Sequence, residues 1–101
     1  MYRVNPRMTL DFTQGRIEAF NAANGGGVVV RKDNRGYSLF QEVTGAPLAR
    51  LRPIEGGNLV EVLWWSSRDR WEPIGEFGGV RLPLDEALEY IADDPMGCFW
   101  Q

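Results

Sequence analysis

The chain contains no histidine, a single cysteine (Cys98) and a single lysine (Lys32) among 101 residues. Without histidine there is no Ser–His or Cys–His nucleophile pair, and the usual zinc and transition-metal ligand sets are missing. One cysteine cannot form an intramolecular disulfide. The longest unbroken apolar run is Val62–Leu63–Trp64–Trp65, far short of the roughly 20 residues a membrane-spanning helix needs. The first residues also lack the basic-then-apolar pattern of a secretory leader, so a cytoplasmic location is expected. Fourteen Asp and Glu are present and carboxylates alone can do acid–base work. None of them sits in a recognisable catalytic pair. The expectation is a non-enzymatic domain with no metal and no cofactor.

Charge is unevenly placed. All ten arginines and the lysine lie at or before Arg81, against nine acids in the same stretch. From Leu82 onward there are five acids (Asp85, Glu86, Glu89, Asp93 and Asp94) and no base. A mildly basic body is thus followed by an acidic end. The plainest use of both charge sets is to solvate the surface and to pair with each other. Asp93 and Asp94, at the unfavourable end of a helix dipole, are read the same way, with a cation or an arginine partner as the alternative.

What is plentiful is glycine and aromatic side chain, in an order that suggests one α+β domain over residues 1–101. Pro6 excludes a helix over Met1–Arg7. Met8–Phe12 alternates like a strand but also reads as the lead-in to a helix, with Asp11 or Thr13 as N-cap. Thr13–Asn24 reads as that helix, with Ile17 and Phe20 on one face, and Gly25–Gly26–Gly27 ends it. These glycines are not a phosphate cradle. Such a loop follows a strand and precedes a helix, and here the order is reversed. Val28–Arg31 is a β-branched strand and Asp33–Gly36 a hairpin turn. Tyr37–Val43 returns, and Thr44–Gly45 turns again. Pro47–Arg52 follows, its Pro47, Ala49 and Leu51 opposing Leu48, Arg50 and Arg52. After the turn Glu55–Asn58 comes the most apolar run in the chain. Gly75–Gly79 is a loop around Phe77, and Val80–Leu82 a short strand. Pro83–Ala92 is a helix with Leu84, Ala87, Leu88 and Ile91 on one stripe, acids in its first turn and Pro95 beyond its end. Close strand spacing with short turns makes an antiparallel meander of about five strands between an N-terminal and a C-terminal helix.

The stretch Asn58–Trp71 (NLVEVLWWSSRDRW) is the expected centre of the sheet. Alternation sends Val60, Val62 and Trp64 to one face and Leu59, Glu61, Leu63 and Trp65 to the other. Adjacent tryptophans on a strand cannot share one core. Either both faces are covered, or one indole is offered to solvent or to a partner. Ser66–Arg70 is turn-like, and Trp71–Ile74 returns as an edge strand because Pro73 has no N–H to donate.

The run Val62–Leu63–Trp64–Trp65, then Trp71, then the ending Asp94–Pro95–Met96–Gly97–Cys98–Phe99–Trp100 resembles a small bacterial family known as a domain of unknown function. Its members pair an apolar–Leu–aromatic–Trp strand with a terminal Asp–Pro–x–Gly–Cys–Phe–Trp–Gly. The likeness covers the second half of the chain, which has Gln101 where the pattern has Gly. It implies domain limits, and no activity, substrate or cofactor.

Phe99 and Trp100 stay ordered only if they dock, on the chain's own core or in a second copy. Cys98 reads as a small buried apolar group. Two binding readings follow. One is a protein-interaction module, its partner another protein or a second copy of the chain, built on Trp64, Trp65, Trp71, Phe99 and Trp100. The other is an anionic ligand or a single-stranded nucleic acid on a sheet face. Arg50 and Arg52 share such a face, and Arg68 and Arg70 lie beside Trp65 and Trp71 in sequence. The sequence pI of about 4.9 and the lack of a basic stripe weigh against nucleic acid. No membrane partner is expected.

Overall fold

The computed structural model describes residues 11–75 and 78–100. The sequence expectations for Met1–Leu10 and for Phe77 lie outside them. The order of elements is helix α1 (Phe12–Ala23), strands β1 (Val28–Asp33), β2 (Gly36–Gln41), β3 (Pro47–Pro53), β4 (Leu59–Trp65), β5 (Trp71–Pro73) and β6 (Val80–Pro83), then helix α2 (Leu84–Asp93). The six strands form one sheet, β1 to β5 in meander order, every pairing antiparallel. β5 pairs with Leu63–Trp65 and β6 with Leu59–Val62, so the two lie end to end along one edge of β4. The expected five-strand meander is therefore present, with its last strand broken in two. β5 is an edge strand, as Pro73 requires.

Both helices pack on the same face of the sheet. The core joins Ile17 of α1 and Leu84, Ala87, Leu88 and Ile91 of α2 to Tyr37, Leu39, Ala49, Leu51, Val60 and Val62 from the strands. The α2 stripe is thus the one the 3.6-residue period requires. α1 begins one residue before the expected Thr13. Asp11 is its N-cap and accepts from the Gln14 amide at 2.9 Å. Its carboxylate also accepts from the Tyr37 hydroxyl at 2.9 Å and pairs with Lys32 at 2.7 Å. One side chain thereby fastens the start of α1 to β1 and β2.

Two expectations fail for local reasons. β2 stops at Gln41, where Gln41 N–H donates to Ala46 and Gly45 N–H to Gln41. That turn leaves Val43 93% exposed and outside the strand expected over Tyr37–Val43. In β3, strict alternation places Leu48 with Arg50 and Arg52. The register shifts instead, pairing Leu39 with Ala49 and Phe40 with Pro47, which makes Leu48 the extra residue of a bulge. A bulge re-aims a side chain, and Leu48 enters the core beside Ala49 and Leu51.

Candidate functional site: the uncovered sheet face

Directly paired residues share a face, so the register defines the surface opposite the helices. Arg31 pairs with Ser38, Ser38 with Arg50, and Arg50 with Leu63. Val29 pairs with Phe40, Arg52 with Glu61, Trp65 with Trp71, and Glu61 with Arg81. None of the described elements packs over this face, yet several of its residues are buried by one another. Arg50 is 8% exposed although it carries a charge. A buried guanidinium needs partners. Arg50 Nη1 donates to Ser38 Oγ at 2.6 Å and Nη2 to Asp33 Oδ1 at 2.7 Å. Asp33 also accepts from the backbone N–H of Arg35 and of Gly36. The Arg50 guanidinium and the Arg35 amide together hold the Asp33 carboxyl below the ordinary value. Arg52 pairs with the buried carboxylate of Glu61.

Beside this charged centre lies an aromatic cluster. Trp65 and Trp71 meet edge to face at 5.1 Å between ring centres, and Phe40 meets Trp71 in the same way at 6.4 Å. The Arg31 guanidinium sits over the Phe40 ring, 5.3 Å from its centre, a cation–π distance. Trp71 also lines a cleft of about 500 Å³ together with Asp33, Asn34, Arg35, Arg50, Arg52 and Leu63. Aromatic rings surrounded by partly exposed arginines have the composition of protein-interaction surfaces.

The residues singled out in the sequence are thus divided among four places. Arg50, Arg52, Trp65 and Trp71 come together on the uncovered face. Trp64 points the other way and packs against the core. Arg68 and Arg70 do not join Arg50 and Arg52. They reach back to Glu72, which pairs with Trp64 in the ladder and so faces away. The buried Ser66 hydroxyl donates to Glu72 at 2.8 Å; that bond, aided by Arg70, holds the Glu72 carboxyl below the ordinary value. Phe99 is 1% exposed within the core, edge-on to Tyr90 at 5.7 Å. Trp100 stands 45% exposed on the helix side. There it lines a second, mostly apolar cleft of about 310 Å³ with Phe20, Asn21, Leu48 and Ile91.

Asp94 is better occupied than solvation alone. It ends α2 in the left-handed conformation, with φ of 45°. Its carboxylate accepts from the backbone N–H groups of Cys98 at 2.9 Å, Phe99 at 3.1 Å and Trp100 at 3.0 Å. Three amides converging on one carboxylate make an anion nest that the chain fills itself. The Asp–Pro–x–Gly–Cys–Phe–Trp ending is therefore a latch that presses Phe99 into the core. Burial, and then the nearby Asp94 charge, push the Cys98 thiol up from its ordinary value, away from thiolate chemistry.

A family model described as a domain of unknown function, DUF3024, matches residues 5–101. The chain belongs to the DUF3024 family. No curated protein and no solved structure matches it. In this DUF3024 chain the described residues bring no three metal-ligating side chains together and include no helix long and apolar enough to cross a membrane. Sequence reasoning did not connect Phe40, Arg31, Arg35 or Asp33 to the site. The alternation of Ser38 and Phe40 in β2 was a signal, but only the strand register tells which of two faces the helices leave open.

Proposed function

We propose that this DUF3024 chain is a non-enzymatic interaction module that seats a protein partner on the uncovered sheet face, around Phe40, Trp65 and Trp71. The observation that carries this reading is the placement of both helices on one side, which leaves three aromatic rings from three strands on the other. The half-buried or buried carboxylates Asp11, Glu61 and Glu72 are each engaged by a cation, which supports a binding role over an acid–base one. A second reading, a single-stranded nucleic acid on the same face, draws its support from Arg31 stacked over Phe40 beside Trp71. Against it, Asp33 and Glu61 already pair with Arg50 and Arg52.

The test is selection of peptides from a random displayed library, followed by binding to Trp71→Ala with circular dichroism as the fold control. Peptides that bind the unaltered domain and lose about tenfold or more in affinity on Trp71→Ala support the reading, because interface tryptophans carry a large share of binding energy. Peptides that bind both forms equally, or a library that yields none, contradict it. A thymidine oligonucleotide bound at low salt and lost on Trp71→Ala favours the second reading.

A further inference from the structure

We infer that the partner segment is acidic, with a carboxylate received in the cleft between Arg35, Arg50 and Arg52 beside Trp71. This rests on the uncovered face being the docking surface, and it adds the chemistry of what docks. Charge complementarity favours an acidic occupant. Three guanidinium-bearing residues line the cleft; Asp33 pairs with Arg50 and Glu61 with Arg52, so the excess positive charge there is that of Arg35. Asp33 Oδ1 is already shared among Arg50 and two backbone amides. Among the described residues the Arg35 side chain forms no ion pair, and Arg50 uses two of its five donors. Arg50 cannot swing away, because Ser38 and Asp33 hold it from two sides. A guanidinium fixed in this manner is a preorganised receptor for a carboxylate. Trp71, in the wall of the same cleft, offers an apolar surface to the residue next to that acid.

The same charges argue against a second copy as occupant. Two uncovered faces meeting about a two-fold axis bring like-charged arginines together. The chain does own a helix with an acidic outer side, α2, where Asp85, Glu86, Glu89 and Asp93 are exposed. An arginine face meeting the α2 of a neighbour is a head-to-tail contact that does not close at two subunits.

The experiment is an amide and indole N–H titration of the nitrogen-15-labelled domain with two peptides. One has glutamates on both sides of a central phenylalanine, the other glutamines in the same places. The expected result is a shift of the Trp71 indole with the glutamate peptide, weakened by added salt, and binding at least about tenfold weaker for the glutamine peptide and for Arg35→Gln. Arg35 is exposed and its guanidinium forms no ion pair among the described residues, so this variant isolates the charge. Arg68 reaches back to Glu72 away from this cleft, so Arg68→Gln is expected to bind as well as the unaltered chain. Equal binding of both peptides at Trp71 overturns the acidic partner and leaves the docking face standing. Shifts confined to Phe20 and Trp100 on the helix side overturn both. No shift with either peptide, shifts with a thymidine oligonucleotide alone, or a molar mass that climbs with concentration in light scattering each overturn the acidic partner.

Discussion

Phe99 shows how much one side chain near the end of a chain can carry. Buried at 1% exposure among core residues, it is expected to cost about 3–5 kcal/mol when cut to alanine, measured by urea unfolding. Asp94 holds it there from five residues away. An acid at a helix C-terminus is unfavourable by itself, and the left-handed backbone adds to that. Three backbone donors converging on one carboxylate offset both. Asp94→Gly keeps the backbone conformation available and removes the carboxylate. It is expected to lose about 2 kcal/mol and to raise hydrogen exchange at the amides of Cys98, Phe99 and Trp100, whereas Asp94→Asn retains part of the effect. Equal exchange in all three proteins contradicts the latch.

The carboxylates of Asp11 and Asp33 give the residue scale a pH signature. Burial of Asp11 acts to raise its value, but Lys32, the Gln14 amide and Tyr37 outweigh it, and Asp33 is lowered by Arg50 and the Arg35 amide. A depressed carboxyl contributes stability that is complete above the ordinary value of 3.8 and is lost as pH falls through the lower folded value. The melting temperature is therefore expected to drop on acidification below that value. With Asp11→Asn and Asp33→Asn combined, the drop is expected to be shallower.

At the scale of elements, the turn between β1 and β2 depends on Gly36. A Cβ there strikes the backbone oxygen of Leu51 in the neighbouring strand, and a strand backbone cannot yield as a flexible side chain does. Gly36→Ala is expected to destabilise by about 3 kcal/mol, again by urea unfolding. Gly25→Ala meets no neighbouring atom and serves as the contrast, with a smaller loss from its positive φ alone. Most elements were legible in the sequence, because their signals are local. The α2 stripe, the Asp33–Gly36 hairpin and the alternation of β4 each follow from a few consecutive residues. The bulge at Leu48 was not legible, since it depends on how β2 and β3 align. The strand, loop and strand of β5 and β6 were legible, but not that the two share one edge of β4 end to end, because that is a matter of register. Arg68 and Arg70 were grouped with Arg50 and Arg52 on sequence proximity to tryptophan, and the turn at Ser66 and Glu72 instead draws them aside.

For the whole molecule, the decisive fact is that two helices share one face of a six-stranded sheet. No local pattern encodes which face each helix takes. Adjacent Trp64 and Trp65 announced that two faces matter, and the packing decides that Trp64 serves the core and Trp65 the opposite surface. The uncovered face then gathers side chains distant in sequence, from Arg31 to Arg81, into one aromatic and arginine-bearing surface. The most direct measurement is a residue-by-residue map, by nitrogen-15 amide shifts, of where a library-selected peptide contacts the domain. The account predicts shifts centred on Arg31, Phe40, Arg52, Trp65 and Trp71, with α1 and α2 unchanged. Shifts centred on Phe20, Ile91 and Trp100 would place the partner in the cleft between the helices and contradict it.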